Sequence, residues 1–270
     1  MPTAEPAPTA TIEPVERATI VELVVDSLRG KILLGQLPVG SRLPAERDLA
    51  RSLGVNRLTL RAALSRLQAL GLIIVRHGTG TVVANWRETA GLETLSFLLR
   101  TGDPRDPTWR TYLEHLLEVR RIIAAETVAL ACQRRTDADL ADLRRVVEEA
   151  RAHTADPVAF AARDVRIARA VVRVSRNLGF ELLLNMLAPF PDLQPEVARA
   201  MYPDPVDHMN HHDAVLALLE QGDPELARTF VRTALEHQDR ATLARLSSPA
   251  RKPARAVSKK RPARKSKAST

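Results

Sequence analysis

The sequence predicts a mainly α-helical protein: an amino-terminal winged helix-turn-helix domain followed by an all-α helical bundle. Three observations predict it. Apolar residues recur at three- and four-residue intervals through most of the chain from residue 20 onward, the spacing of one helix face. One segment breaks that rhythm, LIIVRHGTGTVVA, two β-branched runs around a glycine-containing turn, and it directly follows two closely spaced short helices. The chain is 45% apolar yet holds only five Phe, two Trp and two Tyr, so its core is built from Leu, Val, Ile and Ala. A length of 270 residues leaves room for two ordinary domains.

Residues 1–16 are rich in Pro, Ala and Thr with little to bury, and disorder is expected there. From Ile20 the residues Val21, Val24, Val25, Leu28, Ile32 and Leu33 mark an amphipathic helix that ends near Gly35. QLPVGSRLP, with Pro38, Gly40 and Pro44, cannot continue it and reads as an extended loop. After Pro44, AERDLARSL forms a short helix stopped by Gly54. Asn56 can cap the next helix, which runs from Arg57 to about Leu70 and buries Leu60, Ala63, Leu64 and Leu67 on one side. The β-hairpin after Gly71 completes a winged helix-turn-helix over residues 17–84. Residues 85–246 hold about seven helical segments with breaks at Gly102–Pro107, Asp156–Pro157, Gly179, Pro189–Pro195 and Gly222–Pro224, and no fixed repeat, which predicts a bundle.

The formal charge of +8 is unevenly distributed. Residues 17–84 carry ten basic and four acidic side chains, whereas residues 85–246 carry 21 and 25. Residues 247–270 hold nine Lys or Arg and no acid, so a disordered polycation that adds salt-sensitive, sequence-independent affinity for phosphate is expected. Cys132 is the single cysteine, and no apolar run reaches the roughly 20 residues needed to cross a membrane. The first residues lack the basic-then-apolar pattern of a secretion signal, so a cytoplasmic location with no membrane partner is expected. No Gly-rich phosphate loop or nucleophile elbow is present and Cys132 lies in an apolar helix, so no enzyme is expected. An enzyme with accessory DNA binding is the remote alternative.

The positive amino-terminal domain points to double-stranded DNA. Arg57 and Arg61, four residues apart, share a helix face away from the leucine stripe, with Asn56 and Thr59 beside them. The planar guanidinium pairs with guanine O6 and N7 or clamps a phosphate. Arg47 on the preceding helix is placed to reach the DNA backbone. In the hairpin, Arg76, His77, Gly78, Thr79 and Gly80 make a small positive tip whose glycines let backbone amides approach the minor groove. The plainer reading, a solvated helix face, loses ground because the arginines sit on a helix-turn-helix flanked by a basic wing.

LPAERDLARSLGVNRLTLRAALSRLQALGLI followed by RHGTGTVV resembles the DNA-binding domain of the GntR family of bacterial transcription regulators. By that resemblance, DNA contacts fall on Arg47, Arg57, Thr59, Arg61, His77 and Gly78. The chain departs from the family pattern at Asn56, usually Ser or Thr, and at Leu58, often Thr or Pro. NWRETAGLETLSFLLRTGD and LLEVRRIIAAETVALACQRR resemble the FadR branch of the family, as does FAARDVRIARAVVRVSRNLGFELLLNML. That resemblance implies a homodimer whose helical domain binds a small-molecule effector. Many members hold a metal there through an Asp-x-x-x-His pair and two later histidines. Asp164 and His212 fill two of those places, but Ala168 and Ala234 stand in the others. His208 and His211 lie close enough in sequence to substitute, although surface or cap histidines are the plainer reading. The expectation is therefore no metal and no cofactor, and an effector like that of the metal-free, fatty-acid-responsive type, a long-chain acyl-CoA relieving repression. A metal-dependent regulator sensing a small organic acid is the alternative, with Asp164, His208 and His212 as its candidate ligands.

Overall fold

The computed structural model describes residues 19–76, 80–187 and 194–247. Helix α1 (Ile20–Leu33) opens with a capping box in which the Thr19 side chain accepts from the Glu22 amide and Glu22 reaches back to the Thr19 amide. Helix α2 (Glu46–Ser52) and helix α3 (Arg57–Ala69) follow, separated by Gly54 at φ +66°. Asn56 caps α3 as expected, its side chain accepting from the Thr59 amide at 2.8 Å. Strands β1 (Ile73–Arg76) and β2 (Gly80–Val83) pair antiparallel with Ile73 opposite Val83 and Arg76 opposite Gly80. The segment expected to be a plain extended loop makes one further bridge, Arg42 to Val82, and the Leu43 amide donates to the Thr81 carbonyl. It therefore braces the wing from its other side.

The second half contains nine helices among the described residues: α4 (Trp86–Thr89), α5 (Glu93–Thr101), α6 (Pro107–Arg134), α7 (Asp137–Arg151), α8 (Pro157–Val174), α9 (Leu178–Leu187), α10 (Pro195–Met201), α11 (Pro205–Gln221) and α12 (Pro224–Ser247). The expectation of about seven missed α4 and α10, which are four and seven residues long. One local device starts four of the others. At Asp106–Pro107, Asp156–Pro157, Asp204–Pro205 and Asp223–Pro224 the Asp carboxylate accepts amides of the first turn, and the Pro occupies a position whose missing N–H costs nothing. The longest helices, α6 and α12, pack along each other; α8, α10 and α11 pack against this pair, and α7 packs on α8 and α11.

Two apolar cores result. The first gathers Leu28, Ile32, Leu60, Leu64, Leu67, Leu72 and Val83 and extends past the wing to Phe97 and Leu98 of α5. The second is centred on Leu113, Leu117, Phe160, Met209 and Leu219 and includes Leu99 of the same helix. Helix α5 thus gives one face to each core. The Arg29 guanidinium of α1 lies 3.6 Å above the Phe97 ring centroid, and Trp109 of α6 donates to the Leu99 carbonyl at 2.8 Å. The docking of α4 is closer still. Thr89 donates its hydroxyl to the Gly71 carbonyl at 2.6 Å, and a Cβ placed on Gly71 would sit 2.2 Å from the Thr89 carbonyl oxygen.

Candidate DNA interface and ligand cavity

Helix α3 buries Leu60, Ala63, Leu64 and Leu67 against α1 and α2, which turns the opposite face outward. That outward face carries Arg57 and Arg61, both exposed, beside half-buried Thr59. The Arg61 Nε donates to Glu46 at 2.7 Å, so its fork is held in place from α2, while Arg57 makes no ion pair among the described residues. Arg47 is exposed on α2, and its one ion pair among the described residues is with the neighbouring Asp48, at 3.5 Å. Asn56 has committed its side-chain oxygen to the helix cap, which leaves its amide N–H groups for a partner. At the wing, Gly80 opens β2 in the left-handed region at φ +85°, which favours glycine. His77, Gly78 and Thr79 at the wing tip, and the basic segment 248–270, lie outside the described residues. Arg57, Asn56, Thr59 and Arg61 therefore come together at the amino-terminal end of α3, where the helix dipole favours phosphate. Arg47 flanks them.

A second site lies inside the bundle. A cavity of about 200 Å³ is walled by Ile123, Val128, Ile167, Val171, Leu184 and Phe230, among others. Ala168 and Ala234, the two residues that replace ligand positions of the family pattern, both line it. One end is polar. There Asp164 of α8 accepts from the Tyr202 hydroxyl at 2.7 Å, and its other oxygen lies 3.1 Å from His208 Nε2 and 2.8 Å from His212 Nε2, both on α11. Gln238 stands 3.5 Å from His208 Nδ1, and Arg120, also lining the cavity, is paired with buried Asp239 at 3.3 Å. Burial works against ionising Asp164, but the hydrogen bonds from His208 and His212 and their charge outweigh it and hold the carboxyl well below the usual carboxylate range. Burial, with Asp164 alongside, pushes the Tyr202 phenol well up, and burial pushes His211 down.

The sequence reading left His208 and His211 as possible stand-ins. The structure brings His208 to the pair, the ligand atoms of Asp164, His208 and His212 all lying within 4.8 Å of one another. Sequence reasoning missed Tyr202 and Gln238 because neither lies in a recognisable motif. It also missed Thr127, whose hydroxyl is buried at the cavity wall without a protein partner. Asp164→Asn keeps the shape of the cluster and removes its charge; a loss of about 1–3 kcal/mol in unfolding free energy at neutral pH is expected from urea titration.

Residues 20–83 match the family model described as bacterial regulatory proteins, gntR family, and residues 115–237 match the FCD domain. The chain is 32% identical to an uncharacterised HTH-type transcriptional regulator of Mycobacterium tuberculosis, over 84% of this chain and 90% of that one. It is 32% identical to a protein of Escherichia coli named as a candidate L-lactate dehydrogenase operon regulator, over 83% and 90%. It is 37% identical to the fatty acid metabolism regulator protein of Edwardsiella ictaluri, over 56% of this chain and 61% of that protein.

Proposed function

Because the chain belongs to the gntR family of bacterial regulatory proteins, and is a DNA-binding transcriptional regulator with an FCD domain, we propose that it represses transcription as a homodimer and releases its operator on binding a long-chain acyl compound, most simply an acyl-CoA. It acts in the cytoplasm. The observation that carries the effector reading is the wall of the cavity. With Ala168 and Ala234 in place of two imidazoles, the cavity is apolar except at one end, where Arg120, Tyr202 and the Asp164 cluster meet the ligand's polar group. A volume of about 200 Å³ takes part of an acyl chain, so the nucleotide of an acyl-CoA lies outside the cavity. The 37% identity to a fatty acid metabolism regulator supports the same class of ligand.

One observation favours a second reading. Asp164, His208 and His212 supply one carboxylate and two imidazoles, a donor set that suits a divalent ion. Those three residues would hold the ion, which would supply a positive centre for the carboxylate of a small organic acid.

Thermal unfolding separates the two. At a hundredfold excess over Kd, ligand binding adds about 2.7 kcal/mol, a rise of roughly 5–10 °C for a chain of this size. Long-chain acyl-CoA is expected to give that rise with or without a chelator. A rise given by citrate-like acids and abolished by chelation, with one Zn or Ni per chain in elemental analysis, would overturn the metal-free reading in favour of the second.

A further inference from the structure

We infer that Leu58 reads the 5-methyl group of a thymine in each operator half-site. Leu58 is 79% exposed, the most exposed of the large apolar side chains among the described residues. A single exposed leucine on a protein surface needs no explanation. Its position gives this one a meaning. It is the second residue of α3, whose amino-terminal end carries Arg57, Thr59 and Arg61, and it lies about 200° around the helix from the buried Leu60. Along that outward face the next positions are Arg61, Ala62 and Ser65, all exposed and, apart from Arg61, short. The face is therefore low enough for the helix to lie deep in a major groove, and Leu58 then meets the groove floor.

That floor offers an apolar side chain one complement. Apart from the cytosine C5–H, which offers no methyl to bury, every other group on the major-groove edges is a hydrogen-bond donor or acceptor, which a leucine would cover without pairing. The thymine methyl is the exception. Against guanine, adenine or cytosine edges Leu58 would desolvate a polar group, whereas against thymine it buries apolar surface on both sides. Leu58 thereby acts by selection as much as by attraction, and it sets a base preference that the neighbouring arginines, which favour guanine and phosphate, do not set.

The inference rests on α3 entering the major groove, so the test must distinguish failure of that docking from failure of the leucine's role. An operator is first selected from random duplex DNA by the full-length protein, and each thymine in it is then replaced singly by deoxyuridine, which removes only the methyl. Affinities are read by fluorescence anisotropy for the unaltered chain, Leu58→Ala and Arg57→Ala. Loss of one buried methyl corresponds to about a fourfold change. The expected result is one thymine per half-site whose replacement weakens the unaltered chain about fourfold, and a Leu58→Ala variant that no longer distinguishes thymine from deoxyuridine there. Deoxyuridine sensitivity that survives in Leu58→Ala would assign the methyl contact to Thr59 or Ala62 and overturn the inference, as would insensitivity of the unaltered chain at every thymine. If Arg57→Ala also binds unchanged, or no sequence is enriched, the docking of α3 has failed and the role of Leu58 falls with it.

Discussion

Arg57→Ala is expected to weaken operator binding by about 1–3 kcal/mol, roughly 5- to 150-fold, with the fold unchanged. Arg57 is exposed, makes no ion pair among the described residues, and contributes nothing to the first core, so its removal costs the free protein little. Its guanidinium stands at the amino-terminal end of α3, where side chains of a recognition helix reach base edges. Arg57→Lys sharpens the measurement. Lysine keeps the charge and loses the planar fork, so a base contact predicts relaxed sequence preference with an unchanged salt slope, and a phosphate contact predicts little change in either. Equal binding by Arg57→Ala and the unaltered chain, measured at one fixed salt concentration, would return Arg57 to an ordinary solvated face. Arg61 is a weaker test, because Glu46 holds it at 2.7 Å and its removal also frees a carboxylate next to the DNA.

The amino-terminal domain was legible because each of its signals is local. Pro44 before α2, Gly54 between helices and Asn56 as a cap each act within a few residues, and the leucine stripe of α3 fixes which side chains face out. The bundle was legible only where helices were long. Helix α10 begins at Pro195 and runs seven residues, too short for an apolar period, and it follows directly on the Pro189–Pro195 break. The cavity was less legible again. Asp164 and His212 are 48 positions apart, His208 joins them only because α11 brings its first turns over α8, and Tyr202 arrives from the end of α10. The family resemblance grouped Asp164, His208 and His212, but no spacing rule adds Tyr202, which reaches them from a third helix. What the sequence did show, Ala168 and Ala234 in place of imidazoles, gained its meaning from the fold, which puts both in one cavity wall.

The same missed helix links the cavity to the DNA-binding domain. Met201 and Tyr202 at one end of α10 line the cavity, and Gln194 at the other end donates to the carbonyls of Leu99 and Gly102 at 3.0 and 3.2 Å. Those carbonyls belong to the carboxy-terminal end of α5, whose Phe97 lies under Arg29 of α1. A short, continuous set of contacts therefore runs from the cavity wall at Tyr202 through α10 and α5 to Arg29 of α1. Helix α5 cannot shift without disturbing one core or the other, since Leu98 belongs to the first and Leu99 to the second.

Helices α4 and α5 form the linker between the two cores, and its other attachment, α4 on Gly71, should show the largest loss of stability from a single methyl. Gly71 ends α3 in the left-handed region at φ +70°, with its amide donating to the Gln68 carbonyl and the Leu72 amide to the Leu67 carbonyl, the paired bonds of a Schellman cap. Gly71→Ala adds backbone strain there and, at 2.2 Å from the Thr89 carbonyl oxygen, a contact with backbone that no side-chain rotation relieves. An expected cost of about 3 kcal/mol follows from those two effects together. Gly35→Ala is the matched control: φ is +75° and nothing lies within 4 Å of the added Cβ, so only strain remains, about 1 kcal/mol. Urea titrations of both variants separate the terms. Equal losses in the two would mean that α4 yields freely to the methyl and does not hold the linker against α3; a larger loss at Gly71, accompanied by weaker operator binding, would show that the close approach of α4 fixes the recognition helix relative to the ligand-binding bundle.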